Sequence, residues 1–356
     1  MAVDSVRART GARVRARGIS RTWQVCAGAF LVGSLLVGLG VGPIGIGGIA
    51  IVESALSHVP FVHVHSPLSS VQEAILWQLR APRVVLAALV GGMLALAGSA
   101  YQGVFRNPLA DPYLLGVAAG AGLGATIAIA FRVSTGTGRL VPLAAFAGGL
   151  VAVAFAYVLG RSVGSARATG ALVLAGVTVA AFMTALQTFV QQQRTDTLRD
   201  VYAWLLGGFS TSTWNDVAVA APYIAVSALV LILHRRVLDV MSLGDDEAAS
   251  LGINVRRTRL LVVAAATMGT AAAVSVSGLI GFVGIIVPHC VRLVLRTGSM
   301  RVLLPLSLVL GAAFLVLCDL AARTIESPAE LPIGVITAFL GAPFFAVVLR
   351  TSKSIR

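Results

Sequence analysis

Apolar runs close to the length of a membrane-crossing helix, about 20 residues, recur along this chain with short polar breaks between them. Trp23 to Leu39 is the first. Gly45 to Leu79 follows with mixed polarity, and a short helix is expected near Val71 to Leu79 in an extracytoplasmic loop. The later runs are Val84–Gln102, Leu114–Phe131, Leu140–Leu159, Ala171–Val190 and Val217–His234. Leu260–Val276, Leu279–Leu295, Val302–Leu320 and Ile333–Leu349 complete ten predicted spans. Gln191 to Trp214 is too polar to cross and predicts a short amphipathic helix along the outer surface.

The chain is organised around Tyr101 to Gly124, YQGVFRNPLADPYLLGVAAGAGLG, between the second and third runs. Pro108 and Pro112 each lack an amide donor and restrict the residue before them, so one continuous helix is forbidden. A tight turn at a membrane face is predicted, with small residues after Gly116 that let the next helix pack closely.

Composition sharpens the class. Charged residues make up 12% of the chain and hydrophobic ones 57%, against roughly 25% charged in a soluble domain. The expected fold class is an all-α integral membrane protein with a single ten-helix domain over residues 23–350. An arginine-rich tail at 1–22 and a short tail at 351–356 flank it. The net charge of +13 comes almost wholly from arginines scattered between apolar runs. That distribution argues against nucleic-acid binding, which gathers cations on one face.

Arginines also orient the spans. Arg7 to Arg21, Arg161 and Arg167, Arg235 and Arg236, Arg256 to Arg259, Arg296 and Arg301, and Arg350 with Lys353 fall on one side. The other side is poorer and mixed, with Glu53, Glu73, Arg194, Asp196, Arg199, Asp200, Glu326 and Glu330. The positive-inside rule then puts both termini in the cytoplasm. Lys353, the only lysine, follows Ser352, so no Walker A motif exists and the chain is not a P-loop ATPase. Cys26, Cys290 and Cys318 lie in or beside apolar segments, as buried thiols rather than a disulfide framework.

Four stretches carry a family likeness: LRAPRVVLAALVGGMLALAGSAYQGVFRNPLADPYLLGV, LGDDEAASLGI, SGLIGFVGIIVPHCVRL and ELPIGVITAFLGAPFF. Over about Gln78 to Leu349 the chain resembles the FecCD family of ABC-transporter permeases, the type II importer fold used for ferric siderophores, haem and vitamin B12. The resemblance implies the membrane subunit of an importer in a bacterial-type cytoplasmic membrane, paired with a second permease copy or a related chain. Partner ATPase subunits would use the ATP, an extracytoplasmic solute-binding protein would deliver substrate, and the chain itself would bind no cofactor.

Within residues 239–258 the resemblance points to a coupling segment that docks on the ATPase: Asp245, Asp246, Glu247, Ala248, Ala249 and Gly252. Two short helices interrupted at Gly252-Ile253-Asn254 are expected there, and carboxylates opening a helix suit its dipole. The ordinary alternative is a solvated loop. Arg80, Arg83 and Arg323 match family positions that dock the binding protein, the alternative being arginines snorkelling to lipid headgroups. Asn107, Leu109 and Thr169 match the cytoplasmic gate, although Asn107 before Pro108 is also ordinary turn chemistry.

Other signals carry less. His58, His63 and His65 could hold a transition metal, but outer-loop histidines more often face water. His289, after Pro288, suits packing or a helix bend. Asp319 could serve a proton-driven transporter, although Arg323 four residues on is its obvious partner. Gln187 and Met183 could line a pathway, but the pattern does not say which way they face. The expected function is a permease for ferric siderophores, with cobalamin or haem as alternatives and a proton-coupled transporter as the rival from another class.

Overall fold

The computed structural model describes residues 20–60, 64–131, 140–162 and 168–352, all helix or connection with no strand among them. Among the described residues, seven helices are long and apolar enough to cross a membrane: Arg21–Gly40, Ser70–Phe105, Leu140–Arg161, Gly170–Gln193, Trp214–Leu233, Val255–Ser277 and Met300–Thr324. Val117–Ala130, Val283–Leu295 and Ile333–Val348 are shorter apolar helices. They fall where the third, eighth and tenth runs were expected.

The core is built on α4 (Ala81–Phe105), which is buried along nearly its whole length. It packs against α14 (Met300–Thr324), α12 (Val255–Ser277), α13 (Val283–Leu295) and α9 (Trp214–Leu233). Close approach is possible because α4 presents glycines at its crossings: Gly91 lies against Gly311, and Gly98 against the backbone of Gly284. A second layer of α5 (Val117–Ala130), α6 (Leu140–Arg161) and α7 (Ala168–Gln193) leans on this core through α12. The first helix, α1 (Arg21–Gly40), lies against α14. Helices α1, α6, α7 and α9 leave most of their apolar surface facing outward. Water would penalise so large an apolar face, and hydrocarbon would not.

Three expectations need correction. The short helix near Val71–Leu79 is not separate from the second span. α3 (Ser70–Ala74), a π-helical turn at Ile75–Arg80 and α4 run on as one helix. Pro82 sits in the first turn of α4, and the wider turn before it, where Ala81 N–H reaches back to Leu76 O, absorbs the missing donor. The eighth run is not helical throughout, because Leu279 to Phe282 is irregular and the helix covers only Val283–Leu295. Thirteen residues rise about 20 Å, short of a hydrocarbon core about 30 Å thick. The third run begins its helix three residues later than expected, at Val117, because Gly116 takes a left-handed φ of 84°. The amphipathic stretch after α7 does form a short helix, α8 (Leu198–Leu205), which packs against α5.

Candidate functional site

The Tyr101–Gly124 turn is held by its own side chains. Arg106 ends α4 in the left-handed region at φ 49°. Asn107 Oδ1 then accepts the Leu109 N–H at 2.9 Å, and Asp111 Oδ1 accepts the Tyr113 N–H at 2.7 Å. These local bonds replace the helical ones that Pro108 and Pro112 interrupt. Asn107 is exposed and Leu109 half-exposed. Thr169 lies in the first turn of α7, but its side chain falls outside the described residues.

The same turn supports the irregular backbone before α13. Tyr113 donates its hydroxyl proton to Ile280 O at 2.9 Å and accepts the Ile280 N–H at 3.2 Å. Gln102 Nε2 donates to Gly284 O at 3.1 Å and to Ala110 O at 3.3 Å. Non-helical backbone at membrane depth is tolerated only when protein groups satisfy it; here Tyr113 does so at Ile280, and Gln102 serves the α13 carbonyl whose helical donor Pro288 lacks. A break at one turn therefore requires the other.

Burial pushes the Asp111 carboxyl up to about 6 from its usual 3.8. The folded chain thus holds this proton more tightly than the unfolded one. Its stabilising contribution is complete below pH about 4 and is lost as pH rises through about 6. We expect the thermal midpoint of the native chain to fall more steeply between pH 4 and 6.5 than that of Asp111→Asn. Parallel slopes in a detergent melting series would disprove this.

On the same end of the molecule, α10 (Arg235–Met241) and α11 (Asp245–Ser250) precede α12. The interruption falls at Gly252–Asn254 as expected, with Gly252 at φ 82° and Asn254 Oδ1 capping α12 through the Arg257 N–H. Between Leu243 and Val255 only one of the two expected short helices forms, α11, and the segment after the break is the start of the long α12; α10 lies before Leu243, tied to α14 by Asp239. Its carboxylate accepts from Ser299 Oγ at 2.9 Å and from the Met300 N–H, and pairs with Arg301 at 3.0 Å. Asp245, Asp246 and Glu247 form the first turn of α11. Ala248 is fully buried in the main core, whereas Asp246, Glu247, Ala249 and Gly252 are exposed. Asp245 pairs with Arg259 of α12 at 2.8 Å and with Arg106 of the turn at 3.4 Å. Arg106, Arg259 and the exposed Leu243 and Leu251 were not singled out from the sequence. Two leucines flanking a polar helix and facing solvent were the available signal.

At the opposite end of α4 the three arginines are engaged within the chain. Arg80 is buried and donates to Leu39 O, Gly40 O and Ile44 O, at 2.9, 3.1 and 2.6 Å. Arg83 pairs with the buried Asp319 and with Glu330, both at 2.8 Å. Arg323 donates to Gly38 O and Val41 O and lies 3.6 Å from Asp319. Arg83, from a distant helix, is therefore the main partner of Asp319, and the i,i+4 neighbour is secondary. Neither lipid snorkelling nor free display describes Arg80, whose donors close the connection after α1.

The remaining candidates resolve simply. His58 Nδ1 lies 2.9 Å from Ser54 O, and His63 is outside the described residues. Among the described residues no cluster of three or more His, Cys, Asp or Glu side chains could hold a metal ion. His289 packs edge-on against Phe344. Met183 and Gln187 are buried against α5, beside Ala119 and Gly122.

Residues 30–351 match the model of the FecCD transport family. The chain belongs to the FecCD transport family. Relatives agree over most of their length. The uncharacterized ABC transporter permease protein YvrB of Bacillus subtilis is 42% identical over 277 residues, 77% of this chain and 78% of that protein. The cobalamin import system permease protein BtuC of Halobacterium salinarum is 43% identical over 278 residues, 78% of this chain and 74% of that protein. A solved inward-facing conformation of a metal-chelate type ABC transporter matches with a TM-score of 0.81 at 29% identity, over 93% of this chain and 100% of that one. As a FecCD chain, the protein joins two ends through one helix: α4 begins at the Arg83–Asp319–Glu330 cluster and finishes at Arg106, which touches Asp245.

Proposed function

We propose that this FecCD chain is the permease subunit of an ATP-driven importer of ferric siderophore complexes. It crosses the cytoplasmic membrane ten times with both termini inside, and it works with a second permease copy or a related chain. The observation that carries the reading is the bridge at Asp245. A short helix with one buried face and one exposed face is tied by a single carboxylate to the turn that ends α4 and to the start of α12. A partner ATPase gripping Asp246, Glu247, Ala249 and Gly252 would shift α11 on Ala248. Asp245 would transmit the shift to Arg106 and so to the gate at Asn107, Leu109 and Thr169. Coupling of this kind needs a two-state element biased by differential contacts, and a turn without regular helical bonds is such an element.

At the outer end, a solute-binding protein would dock beside Arg83, with an acidic group of that partner exchanging for Glu330. Asp319 stays on Arg83 throughout, and Arg80 and Arg323 hold the neighbouring connection in shape. Asp319 is a poor proton carrier in this arrangement, since Arg83 occupies both its oxygens, through Nε at 3.0 Å and Nη2 at 2.8 Å. Cobalamin remains the alternative substrate, supported by the BtuC relative.

Uptake into vesicles holding the chain with its ATPase and binding protein tests the reading. Asp245→Arg should lower uptake roughly tenfold, the loss of about 1.4 kcal/mol of coupling, with the ATPase still retained in a pull-down. Uptake driven by a proton gradient with no ATPase present would overturn the importer reading. Loading of cobalamin but no ferric chelate would overturn the substrate.

A further inference from the structure

A cavity of about 680 Å³ lies at the outer end of the second layer, between α6, α9 and α12. Its floor is apolar, with Phe146, Val219, Ala220 and Ala272 among the lining. Leu143, Val219 and Tyr223 line it and are also exposed, so it opens sideways between α6 and α9. The outward faces of those two helices continue as apolar surface through Phe155, Val158, Val226 and Leu229. Its lip has another chemistry. Asp200 of α8 and the stretch Thr211 to Asp216 rim the cavity, beside Trp204. Asp216 caps α9 by accepting from Thr213 N and Oγ1. Asp200 makes no hydrogen bond or ion pair with any described residue.

The geometry points to a binding site for a phospholipid of the outer leaflet that carries a primary amine in its head. An acyl chain enters through the lateral opening and covers the apolar floor. The ammonium reaches Asp200 and Asp216 at the lip, where charge-assisted hydrogen bonds are strong. Two carboxylates at the lip disfavour an anionic head such as phosphatidylglycerol. A volume within the usual 300–1,000 Å³ of ligand sites suits part of one lipid rather than a substrate passage. The site is independent of which substrate the permease carries.

Native mass spectrometry of the purified full chain, exchanged into micelles doped equally with phosphatidylethanolamine, phosphatidylcholine and phosphatidylglycerol, tests the site. We expect phosphatidylethanolamine to be retained roughly tenfold over phosphatidylglycerol, a difference of about 1.4 kcal/mol, and also over phosphatidylcholine. Asp200→Asn, at an exposed residue outside any packing contact, should erase the preference while total bound lipid is kept. Ala220→Phe should fill the floor and remove bound lipid of every class. Equal retention of the three lipids, or a preference untouched by Asp200→Asn, overturns the proposal. Should Ala220→Phe fail to fold, the Asp200→Asn comparison decides alone.

Discussion

Arg83→Ala should destabilise the chain by about 3–5 kcal/mol, the cost of leaving one buried charge without its partner. Asp319 is 1% exposed and takes its closest contacts from Arg83, through Nε at 3.0 Å and Nη2 at 2.8 Å. Removing the guanidinium leaves only Arg323, at 3.6 Å, and that group already serves two backbone carbonyls. The pair joins α4 to α14, so the loss falls on the contact between these two core helices. Glu330→Ala should cost under about 1 kcal/mol, because a carboxylate 39% exposed recovers water. The double variant Arg83→Ala with Asp319→Ala should cost less than the two single changes summed, since it leaves no orphaned charge. Thermal unfolding in detergent reads all four. If Arg83→Ala shifts the midpoint no further than Glu330→Ala, the buried pair is not what holds this end.

Gly98→Ala should cost about 3 kcal/mol or more, at the upper end of what overpacking does. A Cβ at Gly98 would fall inside the van der Waals envelope of the Gly284 carbonyl, and the neighbouring atoms are backbone rather than a flexible side chain. Relief requires α4 and α13 to separate. That would pull Gly284 O from Gln102 Nε2 and loosen Ile280, four residues earlier on the irregular segment that leads into α13, from Tyr113. Gly28→Ala in α1 is the control. A Cβ there meets nothing within 4 Å, so the helix should gain up to about 1 kcal/mol from the better residue. A melting midpoint for Gly98→Ala equal to that of Gly28→Ala would sink the argument from close packing.

Legibility differed by kind of feature. The long apolar runs were readable to within a few residues, because a helix that meets lipid or an apolar core needs an apolar face of fixed length. The break at Gly252–Asn254 was readable too, since glycine and an N-capping asparagine act locally. The start of α13 was not. Leu279 to Phe282 is as apolar as a spanning helix, and the group that lets its backbone stay irregular, Tyr113, lies more than 160 residues away. The continuity through Pro82 was hidden for a related reason, because a π turn upstream leaves no compositional mark.

The candidate sites divide in the same way. Carboxylates at the head of α11 and the Asn107 turn are local chemistry, and the family motifs mark them. The destinations of the long side chains are not local. Arg80, Arg83 and Arg323 read as docking or headgroup-seeking charges, with Arg323 also a partner for Asp319, and the sequence did not show that each reaches backbone carbonyls or carboxylates brought to it by packing. Asp245 appeared as a docking group, yet its guanidinium partners come from the ends of two other helices.

The order of residues alone determined that this chain is a multi-helix membrane protein without a P-loop, and that it breaks at Pro108–Pro112 and at Gly252. Hydropathy and backbone restriction are properties of neighbouring residues, so they can be read in line. Only the tertiary structure decided which arginine neutralises Asp319, which side chain satisfies the irregular backbone before α13, and that Arg106 meets Asp245. Ion pairs and hydrogen bonds across the core depend on distances of about 3 Å, and helix packing alone brings such groups that close.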